Sequence, residues 1–174
     1  MWPWGHAIAG YVVATVLVLL YRRRPLQHRE AIVVVVGSQL PDLVDKPLAW
    51  TLAVLPHGRS LGHSLITWSA VGIVIVLILR RHGRFRLAPF AFVGAVVGTL
   101  TDVPPSALDG DVSRATFLLW PVLEPPAAGV EPSLLASAGR LGGDDVGRLV
   151  VFTAMLLGFH VLLTRLRSTD AVAD

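Results

Sequence analysis

Apolar runs that each stop against arginines leave this chain few ways to fold. From His6 to Tyr21 the sequence is almost wholly apolar, and it halts at Arg22-Arg23-Arg24-Pro25. It is apolar again from His63 to Leu79, up to Arg80-Arg81-His82-Gly83-Arg84-Phe85-Arg86. Another run, Leu87 to Leu100, carries Gly94 and Gly98, a small-xxx-small spacing that lets helices approach closely. The last run covers Leu149 to Leu163 and ends before Arg165 and Arg167. A shorter run, Ala31 to Leu40, has a length that suits a core or re-entrant helix better than a lipid-facing span. It either extends through Val44 or breaks at Pro41 and resumes across Leu48–Leu55.

A mean hydropathy of +0.64 over 174 residues sets this apart from an ordinary soluble domain. The expected fold is an all-α, polytopic helical bundle of about five membrane segments. The chain is then one membrane domain over 1–174, with an irregular extracytoplasmic loop at 103–148 that is rich in Pro, Gly and acids. Met1-Trp-Pro-Trp-Gly-His6 has neither a positive n-region nor a small-residue cleavage site, so the first run is expected to be a retained helix.

Charge placement gives the orientation. If every segment crosses, the stretches 22–30 and 80–86 and the C-terminal tail hold ten of the fifteen Lys/Arg and three of the twelve acids. Basic loops stay on the cytoplasmic side, so the N-terminus is expected outside and the C-terminus inside. Such clusters flank apolar runs as topology signals do. No aromatic residues are interleaved with them for base stacking, so nucleic acid is not the expected partner despite the sequence pI near 10.2.

The same topology sends the polar residues to one face. His6 opens the first run, Asp42 and Asp45 close the second, His57 and His63 precede the third, and Asp102 ends the fourth. Ionisable groups in a membrane segment cost roughly 2.5–3.5 kcal/mol each and mark function. There is no cysteine, so any metal must be held by histidine nitrogen and carboxylate oxygen. Asp42 and Asp45, at i and i+3, share a face of a helical turn. Taken singly, each residue also has a plainer role. His57 suits a turn, and His63 and His6 suit the water interface. Asp42 suits an Asx-type bond, Asp45 a pair with Lys46 or Arg59, and Asp102 a helix end. His28 and His82 fall in the basic clusters, and His160 lies deep in the last run without an acidic neighbour.

The order of these pieces resembles the family of membrane-bound metal-dependent hydrolases that includes the LexA-regulated inner-membrane YdjM-like proteins. The likeness rests on His6 before an apolar helix and on Gly37-Ser-Gln-Leu-Pro-Asp-Leu-Val-Asp45. It rests also on His57-Gly-Arg-Ser-Leu-Gly-His63-Ser64 and Leu118-Leu-Trp-Pro121. The family's His-x-x-x-Asp pair is replaced here by Asp102-Val-Pro-Pro-Ser106, with Asp109 and Asp111 as nearby carboxylates.

Residues and resemblance together lead to an expected metal-dependent hydrolase of the cell's inner membrane, acting on a lipid-borne ester or phosphoester. His6, Asp42, Asp45, His57, His63 and Asp102 are the expected ligands of a divalent metal, Zn²⁺ or Mn²⁺. An Asp45 not engaged by metal would act as general base, and Arg59 would hold the anionic part of a membrane lipid or other amphiphile. The competing expectations are a small transport or ion-binding membrane protein and a family member that has lost catalysis.

Overall fold

The computed structural model describes residues 3–82, 86–125, 151, 153, 158, 160 and 161. Among these the regular structure is entirely helical. Helix α1 spans Pro3–Arg22, α2 His28–Trp50, α3 Leu65–His82, α4 Ala88–Thr101 and the short α5 Pro105–Leu108, with a 3₁₀ segment at Val112–Leu119. Among the described residues one helix, α1, is by itself long and apolar enough to cross a membrane, and α4 is a shorter apolar helix. Of the last apolar run, Val151, Thr153, Gly158, His160 and Val161 are described, all helical; the rest lies outside the described residues.

Helix ends follow local chemistry. Helix α1 stops at Arg22, whose charge complements the carbonyl end of the helix dipole. Arg23 then takes a left-handed turn at φ 51° while its N–H still reaches the Leu19 carbonyl at 3.2 Å. The Gln27 N–H at the start of α2 donates to Glu30 Oε2 at 2.9 Å. Arg24 grips the same buried carboxylate with both terminal nitrogens, at 2.8 and 2.5 Å.

Of the two expected forms of the second segment, the structure shows the one that extends through Val44: α2 runs 23 residues through Pro41 and Pro47, without a break at Pro41, and Leu48–Leu55 is no separate helix. Hydropathy drops after Leu40 because Asp42, Asp45 and Lys46 follow, yet the helix continues with both aspartates buried. A run bounded by apolarity alone therefore ends a turn or more too early. The loop read as irregular carries α5 and the 3₁₀ segment, with residues 126–148 outside the described residues.

Helix α4 is the hub, touching α1, α2 and α3. A side chain at Gly94 would run into the Val34 carbonyl, one at Gly98 into the Ser38 carbonyl, and one at Gly37 into the Ala91 backbone, all well inside van der Waals contact. Since 34 faces 94 and 38 faces 98, α2 and α4 run parallel, backbone on backbone. Gly10 of α1 packs beside Val34 and Ser38, while His6 approaches Asp42, so α1 runs antiparallel to both. A core of Tyr11, Ala14, Val18, Leu26, Ala31, Val34 and Phe90 fills the other half. Ile73, Val74 and Val76 of α3 stay exposed.

Candidate metal centre

This arrangement brings the first turn of α1, the last third of α2, the C-terminal end of α4 and the loop before α3 to one end of the bundle. There, one ligand atom each from His6, Asp42 and Asp102 lies within 4.8 Å of the others, and all three residues are buried. His63 joins them. Its Nε2 stands 3.6 Å from Asp42 Oδ1 and 3.2 Å from Asp102 Oδ2. His6 Nε2 stands 3.6 Å from Asp102 Oδ1 and 3.9 Å from Asp42 Oδ2.

Both imidazoles are held from behind. The Thr101 hydroxyl gives its proton to the Gly98 carbonyl at 2.8 Å, so it accepts from His6 Nδ1–H at 2.7 Å. Asp45 accepts from His63 Nδ1–H at 2.8 Å. In both rings Nδ1 is engaged from behind, and Nε2 is the nitrogen that faces the cluster. This is the outer-shell pattern that fixes tautomer and orientation in histidine metal ligands.

Asp45 itself faces away from the cluster. Its Oδ2 accepts from the Ser60 N–H at 2.7 Å and the His63 N–H at 3.1 Å, and its Oδ1 from the Gly62 N–H at 2.7 Å. With the His63 ring added, four donors surround a fully buried carboxylate. Gly62 is where the loop crosses α2: a Cβ there would lie 2.7 Å from the Pro41 carbonyl oxygen. Thus Asp45 shapes the loop that delivers His63, and the structure places it one step behind the ligand atoms. His57, also read as a ligand, is half-buried and gives its carbonyl to the Ser60 hydroxyl at 2.9 Å; it is not among the clustered group.

Ser64 is a structural cap. Its hydroxyl accepts from the Ile66 and Thr67 N–H groups at 3.1 and 3.3 Å at the start of α3, and donates to the Trp120 carbonyl at 2.6 Å. That bond seats the 3₁₀ segment over the site, with the buried Phe117 edge-on to His63 at 6.2 Å. Thr101 and Phe117 escaped the sequence reading. A hydroxyl beside the candidate ligand Asp102 was the one available signal for Thr101; nothing local marked Phe117. Asp109 and Asp111 are not among the clustered group.

Two cations rim the site. Lys46 pairs with Asp42 one turn along α2 and sits over the Trp50 ring. Arg59 Nε lies 3.3 Å from Asp102 Oδ2 and stacks near Phe117. Burial opposes the charge on Asp102, yet His63 and Arg59 beside it hold its carboxyl well below the usual range. Burial likewise opposes a charged His63, but Asp102 and Asp45 on its two ring nitrogens win and raise its pKa above the ordinary histidine value.

The donor set fits a divalent ion. His6 Nε2, His63 Nε2 and Asp42 Oδ1 are buried and make no hydrogen bond, although buried polar atoms nearly always do. Two imidazole nitrogens and two carboxylates form the mixed N/O set that suits first-row divalent metals.

Fold and cluster define a class: a protein that is all-helical among the described residues, with a buried His/Asp group that could hold a metal ion at one end of its bundle. The chain belongs to the YdjM inner membrane protein family, whose model matches residues 1–166, and its location is the inner membrane. No curated protein and no solved structure matches it.

Proposed function

We propose that this protein is a membrane-bound metal-dependent hydrolase acting on a lipid-borne ester or phosphoester at the extracytoplasmic face. The observation that carries the reading is the convergence of three buried, unbonded ligand atoms, on His6, His63 and Asp42, around Asp102. His6, Asp42, His63 and Asp102 hold the ion, Zn²⁺ or Mn²⁺. When bound, it supplies Lewis acidity, bringing the pKa of water towards roughly 7 and polarising the scissile group. Asp45 is the positioning residue for His63, and Arg59 binds the anionic part of the substrate. Phe117 covers His63 and keeps bulk water from that side. Five crossings with the N-terminus outside put the site at head-group depth, where an amphiphile already presents its polar part.

Elemental analysis of detergent-purified protein tests this. Wild type grown with Zn²⁺ and Mn²⁺ is expected to carry roughly one equivalent of transition metal. The His6→Ala/His63→Ala variant loses it and stays helical, whereas His57→Ala keeps it. Metal-free wild type overturns the proposal. Binding is also expected to weaken on acidification. A proton on His63 must leave before Nε2 can coordinate, so below its raised pKa the affinity falls about tenfold per pH unit. Titrations between pH 5.5 and 8 read that slope, and a flat profile would remove His63 from the ligand set.

A second reading, ion transport, gains from one observation. The Tyr11 hydroxyl meets His160 Nδ1 at 2.9 Å, and His160 lies beside His28, well away from the metal cluster along α1. Polar groups thus occur at a second depth. Metal flux into proteoliposomes, abolished by His160→Phe, would favour transport over hydrolysis.

A further inference from the structure

We infer that Lys46 and Arg59 form a clamp for a phosphate-bearing group, and that metal binding releases it; the inference rests on the metal centre proposed above. Each of the two cations is tied to one of the carboxylates that would ligate the ion. Lys46 is held by Asp42 and Arg59 by Asp102. These same carboxylates face His6 and His63. A carboxylate oxygen given to a divalent ion is withdrawn from its cation, so the ion and the two cations compete for Asp42 and Asp102.

Charge balance sets the consequence. Two carboxylates offset two cations; a divalent ion then leaves the group net positive, even with the charge of Asp45 counted. An anion is what restores neutrality, and the freed cations are placed to take it. Both keep a seat at the rim when their carboxylates let go. Lys46 has the Trp50 ring and Arg59 the Phe117 ring, and attraction of a cation to a ring face holds each in place. Arg59 is about half exposed and Lys46 about a quarter, so an incoming group can reach them. A planar guanidinium and an ammonium, each on a carboxylate of the same cluster, suit a tetrahedral oxyanion, one with paired N–H donors and the other with a point charge.

The clamp predicts effects of opposite sign from one substitution, which a merely structural role would not give. Lys46→Met and Arg59→Met remove the competitor for a ligand carboxylate, so each is expected to tighten Mn²⁺ binding several-fold. Each also removes half the clamp, so each weakens phosphate binding to the Mn²⁺-loaded protein by roughly tenfold, within the usual span of coupling between sites. Calorimetric titration of the full-length protein in detergent measures both quantities, with inorganic phosphate as the first probe. Mixed micelles carrying phosphatidic acid or phosphatidylcholine form the second arm and distinguish a lipid head group from free phosphate. Tight phosphatidic acid binding with weak inorganic phosphate binding assigns the clamp to a lipid; the reverse assigns it to a soluble phosphate. If wild type binds no Mn²⁺, the metal centre and the clamp fall together. If wild type binds Mn²⁺ but the two variants weaken metal and phosphate alike, or leave phosphate unchanged, the clamp falls and the metal centre stands.

Discussion

Asp45→Asn is expected to lower metal affinity by about 10- to 100-fold, as loss of an outer-shell carboxylate behind a histidine ligand does. Four donors converge on Asp45, three of them backbone N–H groups. An asparagine offers one acceptor oxygen and turns an NH₂ against the remaining donors, so the His63 ring loses the partner that fixes its tautomer. Asp45→Ala goes further and leaves three buried N–H groups and one imidazole without a partner. Breaking such a buried charged network costs about 3–5 kcal/mol, enough to collapse the loop between α2 and α3. Metal titration of the Asn variant and thermal unfolding of the Ala variant by circular dichroism check the two effects. Wild-type metal affinity in Asp45→Asn would show that His63 does not depend on it.

The α2–α4 seam carries the next largest effect. Gly→Ala within a helix normally gains close to 1 kcal/mol from propensity. At Gly94 and Gly98 the sign is expected to reverse, because each new methyl meets a carbonyl of α2 in place of a side chain that could move aside. Forcing the helices apart costs about 1–3 kcal/mol per site. The Gly98 change should also loosen the metal centre, since Asp102 stands one turn further along α4. Gly10→Ala is the control: its nearest neighbour is the Ser38 Cβ at 3.3 Å, a contact that small adjustments relieve. A double variant Gly94→Ala/Gly98→Ala with an unchanged unfolding midpoint would disprove the seam.

Helices α1, α3 and α4 were legible in the sequence to within three residues at each end, because long apolar runs mark them and arginines follow the first two. Helix α2 was legible only in part: its extension through Val44 was one of two readings, because Asp42, Asp45 and Lys46 lower the hydropathy of its last third. Counting crossings put His6, Asp42, His63 and Asp102 at one face; that they meet there was not legible. Nor was their division of labour, because spacing says nothing about where a side chain points. Asp42 and Asp45 share a face by sequence arithmetic, yet one turns to the histidine nitrogens and the other to the amides of the next loop. His57 and His63 looked equivalent; the loop geometry that favours His63 comes from Gly62 passing over Pro41, a contact between distant parts of the chain.

His6, Asp42 and Asp102 ride on three different helices, two pointing one way and the third the other. Sliding any of them along its axis by one turn, about 5.4 Å, carries its side chain beyond reach of the other two. The cluster therefore exists at a single relative height of α1, α2 and α4. It works as a vernier that reads whether the three rods stand level, and the glycines between α2 and α4 are what keep that alignment from drifting.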